Sequence, residues 1–590
     1  MKIFILFFLL FVSHNVEKKI MEIRVDEKKT EDFKFYHPTS RDYKFWTEEE
    51  NNLKKTFLEE SFSIKKYYSH NFFKNDNIRL FSDNGKDFLI SNVHDVSMQE
   101  NCNLNINMPN KMFFFKDPFF YREKIKYFDV KTPVTEILYI SDFFKEKTLG
   151  GFFSQNFDEK INYSIEYRNS IFKNEPEKNS KNLLLTTFNY QDCNDHKKLW
   201  GHYIYQNFDV IEKKELPKWD IRNYKNVFLY HKKFIHSRFY INFVQKIYSQ
   251  KQKSLFFKTY MEYEKYSLNY LLHPKKNHFN HFGLRNGLFF IFNEKKINIE
   301  IGSISDKVYY QLFNNNNYKN INSLSIQTKI NYPINNIFEL YSNGKYIAEN
   351  NDIKNSYLQA NIMLNAFLFS KLRFITRFSI YDKDNEIHNN LILKNPDCYR
   401  NKFFLYRKKT IDFTLSSNDE KKYYISFYVS RLNHVFQEQE KEKGIDQFLY
   451  PKSIQLYGLK VKALHDIWKF QLNNILLCQK YNSNPYFLSK STIFYKDHYF
   501  NQSLFVQTGF SFYYFNQSHL QAISYPFNFQ YFNDDQECNK IIKTPFVNYF
   551  INMKIHRIIL YFKIQNIGFS DIKNTHKMFI QTGFLWNLFT

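Results

Sequence analysis

The sequence predicts an all-β fold: a transmembrane antiparallel β-barrel of about 16–18 strands behind a short irregular amino-terminal region. Three observations predict it. Apolar and polar residues alternate with a period of two in long runs from about Met112 to the last residue. Aromatic residues make up 20% of the chain, with 68 Phe and 45 Tyr. After residue 20 no window approaches the 18 or so consecutive apolar residues that a membrane helix needs.

In chain order, Met1-Lys2 precedes an unbroken apolar run from Ile3 to Val12 and then Ser13-His14-Asn15. This fits a secretory leader over residues 1–16, too short to cross a bilayer as a helix and without an obvious small-residue cut site. Residues 17–111 are charged and irregular, with Glu48-Glu49-Glu50-Asn51-Asn52 and Lys54-Lys55 and no sustained period, and read as a weakly ordered region. Residues 112–590 read as the barrel.

The alternation is explicit residue by residue. Ile161, Tyr163, Ile165 and Tyr167 share one face of a strand whose other face carries Asn162, Ser164, Glu166 and Arg168. From Leu504 to Tyr514, Leu504, Val506, Thr508, Phe510, Phe512 and Tyr514 oppose Gln507, Gly509 and Ser511. Val547, Tyr549, Ile551, Met553 and Ile555 oppose Asn548, Asn552, Lys554 and His556, and Ile558, Leu560, Phe562 and Ile564 oppose Lys563 and Gln565; these two runs read as a hairpin. A soluble sandwich also alternates. Runs of about ten residues match a tilted membrane strand better than the 5–6 residues usual in soluble sheets, and the Phe and Tyr load suits a lipid-facing band with aromatic girdles.

The last strand carries Ile580, Thr582, Phe584, Trp586 and Leu588 on one side and Gln581, Gly583, Leu585, Asn587 and Phe589 on the other. Gly583, Phe584, Trp586, Leu588 and Phe589 are the expected barrel-closing set, because a strand at the chain end abolishes its free edge by pairing with the first.

Composition excludes several classes. Gly and Pro number only 13 each, which rules out collagen-like and elastic architectures and weakens any Gly-rich phosphate loop. The net charge of +24 comes with Lys, Asn, Ile, Phe and Tyr together in excess, the mark of A/T-rich codons. Lysines are interleaved with acids, as in Glu17-Lys18-Lys19 and Glu438 to Lys443, so no basic stripe points to nucleic acid. Cys102, Cys193, Cys398, Cys478 and Cys538 are odd in number and scattered, giving neither a disulfide framework nor a zinc site.

At this point the residues resemble the putative porin family of Bacteroidota outer membranes. The likeness rests on the opening Tyr127-Phe128-Asp129-Val130-Lys131-Thr132-Pro133-Val134-Thr135-Glu136, on Phe153-Ser154-Gln155-Asn156, and on Asn162-Tyr163-Ser164-Ile165-Glu166-Tyr167-Arg168. Late in the chain it rests on Leu459 to Gln479, Leu504 to Tyr514, Tyr525-Pro526, Tyr531-Phe532-Asn533, Phe546-Val547-Asn548, Asn566-Ile567-Gly568 and the terminal Gly583-Phe584-Leu585-Trp586-Asn587-Leu588-Phe589. It is strongest at the two ends of the barrel. The segment before the final strand, Thr575-His576-Lys577-Met578, lacks the Pro usual there, and the chain ends on Thr590 rather than an acid. The resemblance implies an outer-membrane barrel of a Gram-negative bacterium that lets small solutes diffuse passively.

The expected role is therefore permeation rather than catalysis, with no cofactor. Gly-x-Ser-x-Gly, His-Glu-x-x-His and phosphate-loop motifs are absent. His273, His278 and His281 are the nearest approach to a metal cluster, but a third or fourth ligand and a fixed second shell are missing, and no metal site is expected. Candidate lumen-facing residues are Asn162, Glu166, Arg168, Gln507, Asn552, Lys554 and Gln565, and the lysine excess is expected to bias the pore toward anions. Expected partners are outer-membrane lipid, the barrel-assembly machinery during insertion and small hydrophilic solutes, with no nucleic acid and a homo-oligomer left open. The alternatives are a non-conducting barrel with a structural, assembly or surface-binding role, and a soluble exported β-sandwich.

Overall fold

The computed structural model describes residue 122 and the strands and most short turns between residues 125 and 589. It also describes four short amino-terminal pieces, 43–48, 55–56, 79–81 and 87–89. The leader and most of the 17–111 region lie outside the described residues. Among the described residues no helix is long and apolar enough to cross a membrane.

Twenty-two antiparallel strands close into a barrel. It begins with Val134–Asp142 and Glu146–Asn156 and ends with Ile542–Ile555, Ile558–Ile567 and Phe579–Phe589. The last strand pairs with the first over Gln581↔Asp142 to Phe589↔Val134, so both edges are consumed and no row of unpaired backbone groups faces lipid. Gly583 sits opposite Ile140, Phe584 opposite Tyr139, Trp586 opposite Ile137 and Leu588 opposite Thr135. The hairpin read from the sequence is present, Ile555 pairing with Ile558 across a two-residue turn.

The count of 22 corrects the expected 16–18. That expectation allowed 25–30 residues per strand and connector, whereas the wall averages about 21, because the connectors at one end are only two to five residues long. At the other end connectors reach 24 residues, between Leu504–Gln517 and Ile542–Ile555. Short turns on one rim and long connectors on the other give an outer-membrane barrel its periplasmic and external ends. The chain enters and leaves the barrel at the short-turn rim. Strands as long as Val227–Gln250, at 24 residues, exceed the 9–11 needed to cross and carry the wall beyond the bilayer.

With Gly scarce, the short turns place other residues in the left-handed region. Lys295 (φ 51°), Trp468 (55°), Phe500 (51°), Asn501 (52°), Gln502 (70°) and His556 (48°) all lie on that rim.

The two faces of the wall differ as the alternation requires. Leu288, Phe290, Ile301, Leu324 and Ile326 are more than half exposed on the outer face, a band that a bilayer covers. The inner face carries Asn, Gln, Ser, His and charged side chains together with aromatic rings lying over glycines. Tyr260 faces Gly287, Phe289 faces Gly302, Tyr428 faces Gly458, Phe494 faces Gly509 and Tyr561 faces Gly583.

A second sheet stands inside the barrel. Tyr43–Trp46 pairs with Lys55–Thr56 on one side and with Tyr127–Val130 on the other, Tyr43 opposite Val130 and Trp46 opposite Tyr127. The barrel itself starts only at Val134, so the segment just before it belongs to this insert rather than to the wall.

Candidate functional site

The lumen is the candidate site, and the insert marks which face of the wall points into it. Phe45, Phe128, Val130, Val134 and Phe152 form one buried apolar cluster at the foot of the first strands, with the Phe128 and Phe152 rings 4.8 Å apart. A second cluster joins Ile125 and Tyr127 of the insert to Leu183, Leu185, Trp200, Ile204, Tyr240, Tyr260, Phe289 and Ile304 of the wall. Trp46 stacks on Tyr127 at 4.7 Å and meets Trp200 edge-on at 5.3 Å. Burial of this much aromatic surface is what seats a sheet of so few residues.

Charged groups fix its register. Glu48 Oε1 accepts hydrogen bonds from Trp200 Nε1 (2.5 Å), Tyr240 Oη (2.6 Å) and Asn242 Nδ2 (3.4 Å). The Arg122 guanidinium lies over the rings of Tyr240 and Tyr260, at 4.8 and 4.5 Å, and its Nη1 donates to Glu262 Oε2 at 2.7 Å. Glu262 Oε1 in turn is 3.6 Å from Arg285 Nη1, and Arg285 Nε donates to Asp306 Oδ1 at 2.5 Å. Both charges of the Arg122–Glu262 pair are buried, so Glu262 is held by two guanidinium groups, and Arg122 by opposite charge and aromatic faces, rather than by water.

Further along the same wall His202 bridges insert and barrel. Arg238 Nε donates to His202 Nε2 at 3.1 Å, which leaves the proton on Nδ1 to donate to Tyr127 Oη at 2.9 Å. Arg238 Nη1 is 3.6 Å from Glu264 Oε1, which also meets His236 Nε2 at 3.1 Å, and His236 stacks on Tyr266 at 4.7 Å. His281 packs edge-on against Tyr266, and neither of its ring nitrogens has a hydrogen-bond partner among the described residues. Of the three histidines weighed as a metal cluster, His273 lies outside the described residues. Positions 278 and 281, three apart on the strand Lys275–Glu294, fall on opposite faces. Among the described residues no set of three or more His, Cys, Asp or Glu side chains is placed to hold a metal.

Six of the seven sequence-selected lumen residues fall into three groups. Asn162 is buried at the base of the insert: its Nδ2 donates to Asn156 Oδ1 (2.6 Å), Asn156 Nδ2 donates to Asp129 Oδ1 (3.1 Å), and Asn156 Oδ1 accepts from Val130 N (3.2 Å). Glu166 and Arg168 pair with each other on the same strand face. Gln507 and Asn552 are direct cross-strand neighbours on Leu504–Gln517 and Ile542–Ile555, five to six strands around the ring, with Lys554 next on the same face. The side chain of Gln565 lies outside the described residues; its backbone pairs with Phe579.

Sequence reasoning missed Arg122, Glu48, Trp200, His202 and Glu262. Glu48 stood in an acidic run that reads as a solvated segment, and a strand residue such as Glu262 shows its partner only when a segment 140 residues away is folded against it.

Residues 39–214 and 214–589 match the putative porin family. The chain belongs to that family. The match runs through the middle of the barrel, from about residue 210 to 450, as well as through the two ends where the sequence resemblance is strongest. No curated protein sequence matches the chain. Among solved structures, the chain is similar to the FrpB iron transporter from Neisseria meningitidis (F5-1 variant) at 8% identity and a TM-score of 0.58, covering 78% of this chain and 82% of that one. The siderophore receptor PirA from Pseudomonas aeruginosa gives 7% identity and a TM-score of 0.55, covering 78% and 80%. The ferric enterobactin receptor PfeA gives 8% and 0.55, covering 78% and 81%. At such identities these likenesses speak for the fold alone. Family and fold together make the protein an outer-membrane β-barrel whose outer face contacts lipid.

Proposed function

We propose that this porin-family barrel lets small hydrophilic solutes diffuse passively across the outer membrane of a Gram-negative bacterium, with anions favoured and with the amino-terminal insert narrowing the passage. Its work is permeation, and the chain carries out no catalysis. A secretory leader brings it to the barrel-assembly machinery, and a Bacteroidota origin follows the family resemblance.

The observation that carries this reading is the inner face itself. Inward positions hold Asn, Gln, Ser, Thr and charged groups in almost every strand, as in Gln327, Asn343, Gln359, Asn361, Thr414 and Ser426, while the alternate positions face lipid. Polar side chains on that face are stable only where they meet water, solute or polar neighbours. Size and charge then set selectivity, and lysine-rich stretches favour anions.

The test is to refold the chain without residues 1–20 into detergent and record single channels in a planar bilayer. Stepwise ohmic openings with a reversal potential on the anion side support the reading, and cation preference removes the anion bias.

A second reading, a non-conducting barrel with a structural or surface-binding role, draws on the insert. Arg122–Glu262 and Glu48–Trp200 tie a sheet into the lumen through buried charges, and inward residues such as Ser426, Ser430 and Asn587 are fully buried. A heat-modifiable, β-rich protein that inserts and stays electrically silent favours it.

A further inference from the structure

Two buried histidines on adjoining strands of the wall, His202 in Lys197–Glu215 and His236 in Val227–Gln250, differ in one chemical respect. His236 meets acceptors on both sides, Gln206 Oε1 at Nδ1 (2.9 Å) and Glu264 Oε1 at Nε2 (3.1 Å), so a second proton on its ring is matched by a carboxylate. His202 is the reverse. Its Nε2 receives Arg238 Nε, and a guanidinium nitrogen has no lone pair to give back, so that ring nitrogen must stay unprotonated for the contact to exist. The one proton of the neutral ring then sits on Nδ1, facing Tyr127 Oη of the insert.

The surroundings of His202 give an added proton no match. The ring is 2% exposed, between its cross-strand neighbours Tyr240, 5.2 Å away ring to ring, and Thr187. Charge reaches it from Arg238, Arg122 and His236, each a cation or able to become one. The carboxylates of the next strand are turned to other groups, Glu264 to Arg238 and His236, and Glu262 to Arg122 and Arg285. Protonation of Nε2 replaces a hydrogen bond with two N–H groups aimed at each other, where water does not screen the two positive charges. Tyr127 cannot yield alone. Its ring stacks on Trp46, its backbone pairs with Trp46, and it is buried with Ile125 in the apolar cluster that seats the insert.

From this we infer that His202 is an acid-sensitive latch on the insert: neutral, it bridges Arg238 of the wall to Tyr127 of the insert, and protonated, it breaks from Arg238 and loosens the Tyr127–Val130 strand from the wall. Docking is therefore strongest at neutral pH and weakens as the pH falls. The latch deepens the porin reading by giving the passage a regulator, and rests on that reading for current, though not for the movement. Glu48 and Glu262 also hold the insert and also take up protons in acid. The share that belongs to His202 is the share that disappears when a side chain that takes up no proton stands in its place.

Hydrogen exchange of the Tyr127–Val130 amides, read by mass spectrometry on the refolded chain and expressed as protection relative to the free peptide at each pH, follows the insert without any current. From about pH 7.5 to about pH 4.5, protection should fall about tenfold further in the parent than in His202→Gln, whose amide can accept from Arg238 and donate to Tyr127 at every pH. Arg238→Gln, which removes the opposing cation, should shrink the acid step as well. His231→Gln, at a half-exposed histidine beside Asp209, should behave as the parent. Single-channel recordings over the same range should show larger or more frequent openings in acid for the parent and a flatter response for His202→Gln. A protein that is electrically silent at every pH, yet shows the acid step in the parent and not in His202→Gln, sinks the porin reading and keeps the latch. Ohmic channels together with equal protection profiles in parent and His202→Gln overturn the latch and leave the porin reading standing. If His202→Gln fails to show heat-modifiable migration, Arg238→Gln takes its place with the same two outcomes. Parent protection that stays constant over the whole range overturns the proposal without any variant.

Discussion

The ring of Tyr428 lies flat across its cross-strand neighbour Gly458, so close that a Cβ on that glycine would sit 2.0 Å from the tyrosine Cζ. The contact explains why a chain with only 13 glycines spends so many of them in the middle of strands, where they weaken the sheet. The missing side chain lets a large inward ring fold down onto the wall instead of standing into the lumen. Gly458→Ala should therefore displace Tyr428 and destabilise the barrel by about 1–3 kcal/mol, as overpacking does. Gly151→Ala, where a Cβ meets nothing within 4 Å, should be neutral or slightly stabilising. Urea unfolding of both variants in lipid vesicles checks the pair, and equal midpoints would refute the packing argument.

The insert should come loose when its buried charge pair is split. Arg122→Ala leaves Glu262 with Arg285 but without its 2.7 Å partner, and breaking a buried pair typically costs about 3–5 kcal/mol. The expected readouts are a lower temperature for the heat-modifiable gel shift and larger or more frequent channel openings. Glu48→Gln should have a smaller effect in the same direction, since Trp200, Tyr240 and Asn242 keep an amide oxygen to donate to. If Arg122→Ala leaves both stability and current unchanged, the pair does not hold the insert.

The outer band should be intolerant of charge where the inner face is not. Leu288 is 52% exposed on the outer face, six residues from the rim end of its strand, and Gln327 is buried on the inner face. Leu288→Arg should cost about 2–4 kcal/mol in vesicles, the penalty for a cation deep in the bilayer. Gln327→Lys should cost clearly less and act on ion selectivity. Equal costs at the two positions would mean that the assignment of faces is wrong.

Much of the wall was readable because a strand states its two faces in its own residues. Ile161 to Arg168 and Leu504 to Tyr514 needed no partner to show which side is greasy. Strand number was harder, because turns such as Trp468-Lys469 and His556-Arg557 contain no Gly or Asn-Gly signal and hide inside apolar text. The insert was not legible at all. Its contacts join residues up to 194 positions apart, as in Tyr127 with His202 and Glu48 with Asn242, and no local period encodes them. The closing seam was legible only as a strand at the chain end; that Trp586 meets Ile137 is a property of the closed ring.

The rim turns give the last prediction. Lys295 and His556 hold positive φ angles, 51° and 48°, in two-residue turns, a conformation that costs an L side chain roughly 1–2 kcal/mol and costs glycine nothing comparable. Glycine also enlarges the unfolded ensemble, which offsets part of that gain. Lys295→Gly and His556→Gly should each stabilise the barrel by about 0.5–1 kcal/mol and add when combined, since the two turns lie in different hairpins, Lys275–Glu294 with Ile297–Leu312 and Ile542–Ile555 with Ile558–Ile567. Because both turns lie outside the lumen, single-channel conductance should not change. Urea midpoints that fall in both variants would show that the turns relax away from the left-handed region in the membrane, and a shift in conductance would show that the rim takes part in the passage.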